Sequence, residues 1–127
     1  MAVFEWSWAF FFENMPTLLY AARITLFATV TGFSLAMVLG LLIAVARDSG
    51  VALLARPVGF AAEFVRRTPL LVQIYFAYLV LPEIGIRLPA LACGILVLAL
   101  HYATYLAEVY RAGLRAVDRG QKDAAAA

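Results

Sequence analysis

The chain has 127 residues, of which 65% are hydrophobic, 13% aromatic and 14% charged, with a mean hydropathy of +0.92 and a net charge of +2. Soluble domains carry about 25% charged residues and leave about a third of their surface wet at this size, so a water-soluble globule is excluded, and so is a disordered chain. Cys93 is the only cysteine, which rules out a disulfide scaffold, and a net charge of +2 gives no case for nucleic-acid binding.

The N-terminus lacks a basic region ahead of its apolar residues and carries Glu5 and Glu13, so it does not read as a signal peptide. Trp6, Trp8, Phe10, Phe11 and Phe12 read instead as an aromatic anchor at a membrane surface, with Pro16 and Thr17 opening the first span. The charge-free stretch from Ile24 to Ala46, between Arg23 and Arg47, would reach about 34 Å as a helix and crosses a hydrocarbon core of about 30 Å. We place this span at 18–46. Within it Gly32, Ala36 and Gly40 recur every fourth residue, the spacing that lets a second helix backbone approach closely; a chance spacing in a Gly-rich membrane helix is the alternative.

The next apolar run, Thr68 to Pro82, would reach only about 22 Å. It spans if its helix begins near Val58, giving a middle span at 58–82 with Glu63, Arg66 and Arg67 at the membrane surface. Glu63 and Arg67 stand four apart and can pair, or the arginines can snorkel to headgroups. Pro69 frees carbonyls of the preceding turn, which must then find partners in protein or water. Gln73 lies deeper, with polar capacity and no neighbouring charge.

Leu88 to Ala107 gives the third span, placed at 88–110. At 100° per residue His101, Thr104, Tyr105, Glu108, Ala112 and Arg115 share one face. A polar file on a spanning helix must face protein or a watery cavity, since a carboxylate on the lipid side at mid-depth costs about 2.5–3.5 kcal/mol. Glu108 is the principal functional candidate, with Arg111 or Arg115 as its partner; His101 can equally be a packing residue and Cys93 a small buried hydrophobe. Arg47, Arg56, Arg66, Arg67, Arg111, Arg115, Arg119 and Lys122 fall on one side of these spans against Arg23 and Arg87 on the other. The N-terminus is therefore expected outside and the C-terminal tail in the cytoplasm. With one histidine and one cysteine the sequence offers no metal cluster, no activated nucleophile, and no Gly-rich loop leading to its single lysine, so neither a metal site nor an enzyme is expected.

Three motifs carry a resemblance. Glu63-Phe64-Val65-Arg66-Arg67-Thr68-Pro69-Leu70-Leu71-Val72-Gln73 resembles the E-x-x-R-G-T-P-L-L-V-Q signature of bacterial ABC importer permeases of the polar amino acid type, with Arg67 where that pattern has Gly. The run from His101 to Leu114 resembles the family's A-Y-x-x-E-x-x-R-x-G-I segment. Gly120-Gln121-Lys122-Asp123-Ala124-Ala125 is similar to the G-Q-x-E-A-A opening of its cytoplasmic coupling loop, with Asp for Glu. The stretch from Leu88 to Gly113 is similar to the ectoine/hydroxyectoine branch.

The resemblance implies an all-α integral membrane fold, with these helices as the first three of a five-helix type I ABC importer permease domain and residues 118–127 as the start of the coupling loop. It implies a bacterial inner-membrane importer of a polar amino acid or ectoine-like solute, in which His101, Thr104, Tyr105, Glu108 and Gln73 line the path. Glu63, Arg66, Arg111 and Arg115 would form gating ion pairs, and Gly32, Ala36 and Gly40 the helix-packing face. Gly120, Gln121, Asp123, Ala124 and Ala125 would engage an ATPase dimer, which alone binds ATP. A second permease subunit, identical or different, and an extracellular solute-binding protein complete the assembly. The resemblance covers the N-terminal portion of such a permease, without the family's last two helices. The rival readings are a three-helix membrane scaffold without translocation and a non-functional truncated permease.

Overall fold

The computed structural model describes residues 7–117 and residue 121. Every described element is helical. A short helix α1 (Trp8–Glu13) is capped by Ser7, whose Oγ accepts from the Phe10 N–H at 3.3 Å, and it holds Trp8, Phe11 and Phe12 in an edge-packed aromatic group. Trp6 lies outside the described residues. The 34-residue helix α2 (Met15–Asp48) follows, with Pro16 in its first turn, where no intrahelical donor is needed, and Arg47 in its last, where the helix dipole favours a cation. Thr25 and Thr29 donate to the carbonyls of Ala21 and Thr25 at 3.0 and 2.8 Å, so their hydroxyls are satisfied within the helix and can face lipid.

Gly50, at φ +72°, turns the chain into α3 (Ala52–Arg67). The middle span expected over 58–82 is not one continuous helix. Thr68 is extended, as the residue before a proline prefers, and α3 meets the following segment at 103° across Thr68 and Pro69. That segment begins as α4 (Leu70–Tyr75) and continues through a π-helical turn (Phe76–Val80) and a 3-10 turn (Leu81–Ile84). Gly85 ends it at φ +89°, a left-handed cap that suits glycine. Finally α5 (Ala90–Ala116) starts after Pro89 and runs two turns beyond the expected end of the third span.

Among the described residues α2 and α5 are long and apolar enough to cross a membrane, with mean hydropathies of 2.2 and 1.8 over their most apolar windows, and α3 with its bent continuation makes a third candidate crossing. The core is the seam between α2 and α5. Gly32, Ala36, Gly40 and Ala44 of α2 are buried against α5, whose own buried file includes Ala99, Ala103 and Ala107. Small residues at i, i+4 on both helices let the backbones approach. Gly40 is the tighter of the two seam glycines: an added Cβ would stand 2.9 Å from Cβ of Leu106 and 3.0 Å from the Ala103 carbonyl oxygen. At Gly32 the nearest atom, the Ile95 carbonyl oxygen, would be 3.7 Å away. Large side chains such as Leu26, Val30 and Phe33 point outward, which suits a lipid solvent.

Candidate functional site

The break at Pro69 supplies the first half of the site. Ending α3 at Arg67 releases carbonyls near its C-terminus. Thr68 Oγ1 donates to Phe64 O at 2.8 Å, and Gln73 Nε2 reaches back across the bend to Val65 O at 2.7 Å and Thr68 O at 2.8 Å. The same nitrogen lies 3.1 Å from Nδ1 of His101 on α5. An amide nitrogen has two hydrogens for these three neighbours, so one contact is shared. Gln73 thus splices the break and ties it to the third span.

His101 is buried between Gln73 and the rings of Tyr102 and Tyr105, whose centroids lie 5.5 and 5.3 Å away. Thr104, also buried, donates to the His101 carbonyl at 2.7 Å. Both face protein rather than open space. Tyr105 is partly exposed and holds the Arg66 guanidinium 6.0 Å from its ring centre.

One and two turns further along α5 lies a charge junction. Glu108 Oε1 accepts from Arg47 of α2 and pairs with Arg66 of α3 at 3.3 Å, while its Oε2 accepts from Arg111 at 3.3 Å. Three helices therefore converge on one carboxylate. Arg66 also donates to Glu63 on its own helix, and Arg67 Nε donates to the other Glu63 oxygen at 2.9 Å. Asp48 faces Arg111 at 3.9 Å and Arg115 at 3.8 Å. The Arg111 Nε is buried without a hydrogen-bond acceptor and faces Asp48 at 3.9 Å, while Nη1 of the same guanidinium bonds Glu108.

The structure brings Gln73 to His101, and it brings Glu108 to Arg66 and Arg111. Arg115 is placed against Asp48 rather than Glu108. Arg47, which the sequence marks only as a span-end charge, and Asp48, not among the residues singled out from sequence, are further members of the site. Their partners lie far along the chain, beyond any i, i+4 rule. The available signal was compositional: few carboxylates among many arginines at one end of the spans. Gly120, Asp123, Ala124 and Ala125 lie outside the described residues, while Gln121 is exposed.

A cavity of about 530 Å³ opens between α3, α4 and α5, lined almost wholly by apolar side chains, with Thr68 and Gln73 as its polar members. Among the described residues no three of His, Cys, Asp and Glu converge to hold a metal ion. In this conformation the arrangement binds helices to one another: each carboxylate at the junction is engaged by at least one guanidinium, and none is left free to attract a cationic solute.

No protein-family model matches the chain. It is 45% identical over 117 residues to a probable amino-acid ABC transporter permease protein of Sinorhizobium fredii, covering 92% of this chain and 51% of that protein. It is 33% identical over 113 residues to a probable glutamine ABC transporter permease protein of Bacillus subtilis, covering 89% and 52%. With an arginine transport system permease protein of the same organism it shares 32% over 119 residues, covering 90% and 52%. The structure matches a crystal structure of an amino acid ABC transporter with histidines at a TM-score of 0.87 and 31% identity, covering 96% of this chain and 57% of that one. The chain spans about half the length of the curated relatives it matches, and its all-helical fold corresponds to part of an ABC transporter permease fold.

Proposed function

We propose that this chain forms part of the membrane-spanning subunit of a binding-protein-dependent ABC importer, passing a polar amino acid or an ectoine-like solute across a bacterial inner membrane while a separate subunit hydrolyses ATP. The observation that carries the reading is the pairing of half-buried Gln73 with buried His101 inside otherwise greasy helices. Polar groups are costly at that depth and mark solute pathways in membrane bundles. The similarity to named amino-acid permeases supports the same reading.

In this reading the N-terminus is outside and residues 118–127 face the ATPase. Nucleotide-driven movement is transmitted into α5 and the bend. Arg66 is the switching element, since it touches carboxylates on two helices, Glu63 and Glu108. Its guanidinium can keep one partner while the other withdraws, so α3 and α5 can shift without stranding a bare charge. A second permease subunit and an extracellular binding protein complete the path.

The test is uptake of radiolabelled polar amino acids and of ectoine by cells expressing the gene in its native context, compared with a deletion strain. Loss of uptake of one such solute on deletion, with Gln73→Leu strongly impaired, is the expected result. Unchanged uptake of every solute after deletion would sink the importer reading. Normal uptake with Glu108→Gln would remove the gating role alone.

A further inference from the structure

The helix α3 has two unlike faces. Ala62 is buried, and Gly59, where an added Cβ would lie 3.5 Å from Arg47 Nε, also faces the bundle. On the opposite side Leu53, Pro57, Phe60 and Phe64 form a stripe at helical spacing. Leu53 is 88% exposed, Phe60 75% and Phe64 65%. Arg56 and Arg67 lie along one edge of this stripe, where Arg67, itself 82% exposed, also pairs with Glu63.

The bend fixes how that stripe lies. Gln73 meets His101, while Leu81 and Leu88 share a cavity wall with Cys93, so the segment after Pro69 runs antiparallel along the first half of α5. At 103° to that segment, α3 must cross the helix pair rather than follow it. It crosses where the charge-free part of α2 stops, beside Arg47, and ends with Arg66 at Glu108. That level is the boundary between hydrocarbon and headgroups if α2 and α5 span the bilayer.

We infer that α3 is an interfacial helix lying flat in the membrane surface, with Leu53, Phe60 and Phe64 sunk at the acyl boundary and Arg56 and Arg67 placed among anionic headgroups. The inference rests on the membrane-spanning reading above, moves the middle crossing from 58–82 to the segment Leu70–Ile84 alone, and adds the surface and its occupant. A flat helix with an apolar stripe and arginines along its edge gains from both apolar burial and attraction to anionic lipid. The perpendicular geometry, the depth and the sign of the charge along that edge together select a lipid surface over a protein groove.

The test is nitroxide labelling at single cysteines replacing Leu53, Phe60 and Phe64 in a Cys93→Ala background, in vesicles of phosphatidylethanolamine and phosphatidylglycerol. Leu26, exposed on α2, serves as the reference for a lipid-facing site. Collisions with oxygen should exceed those with a water-soluble nickel chelate at all three α3 positions, at a shallower depth than Leu26. Replacing phosphatidylglycerol by phosphatidylcholine should lower the oxygen-to-nickel ratio at Phe60; an unchanged ratio overturns the headgroup assignment. Immobile labels shielded from both reagents would mean that protein covers the stripe, and nickel-dominated labels that water does; either overturns the interfacial placement. If Leu26 is also nickel-accessible, the membrane-spanning reading itself fails, so the two failures are distinguishable.

Discussion

Arg47 and Glu108 stand 61 positions apart in the chain and close an ion pair between the last turn of α2 and the far part of α5. Glu108 is also the anion of Arg66 and Arg111, so the two members of the pair are not equivalent. Glu108→Gln takes the paired carboxylate from Arg47 and one of two from Arg66 and Arg111, on side chains only 15%, 20% and 13% exposed. Breaking a fully buried pair costs about 3–5 kcal/mol, and partial solvent access here reduces the expected loss to about 1–2 kcal/mol. Arg47→Gln should cost less, since Glu108 keeps two partners. Thermal unfolding of the detergent-solubilised protein reads both, and an equal loss for the two variants would contradict the shared-anion geometry.

The bend depends on one side chain. Gln73→Leu leaves the Thr68 carbonyl without its side-chain donor and the Val65 carbonyl with only the Thr68 N–H at 3.3 Å, which is expected to cost about 1–3 kcal/mol. His101→Leu removes only one of the contacts of that nitrogen and should be milder. A double-mutant cycle should give a coupling of about 0.5–1.5 kcal/mol between the two positions. Zero coupling would show that Gln73 acts on the backbone alone.

The glycines of α2 should separate cleanly. Gly40→Ala pushes a methyl to within 3.0 Å of backbone on α5, where nothing flexible can give way, and should destabilise the pair by about 1–3 kcal/mol. Gly32→Ala meets only ordinary contact distances and should be near neutral. At Gly94, where an added Cβ meets nothing within 4 Å, alanine should stabilise by about 0.5–1 kcal/mol through helix propensity. Melting temperatures of the three variants in one detergent provide the comparison.

Cys93 is 1% exposed and sits on the bundle side of α5. Thiols so placed are inert, and in intact membranes Cys93 should remain unmodified by N-ethylmaleimide until the protein is unfolded. Rapid labelling of the native protein, followed by mass spectrometry, would show that the α5 seam opens.

The two long spans were legible because uninterrupted apolar runs such as Ile24–Ala46 leave no alternative to lipid burial. Pro69 and the carbonyls it frees were legible too, and so was the polar capacity of Gln73. That the second answers the first was not, because the reach from Gln73 back to Val65 exists only once the chain has turned by 103°. A straight helix over 58–82 would have kept Val65 and Gln73 two turns apart. The charge junction was half visible. Glu63 and Arg67 follow from helical spacing, whereas Arg47 reaches Glu108 only through the packing of α2 on α5.

The pinch at Gly40 lies about 12 Å from the C-terminal end of α2 and about 37 Å from its start. Two rods rocking about a contact so near one tip would behave as an unequal lever. A rocking of about 5° over that fulcrum shifts the charged tip by roughly 1 Å while sweeping the aromatic tip through roughly 3 Å. A small stroke at the ion pairs would then be geared into a wide one at the other end of α2.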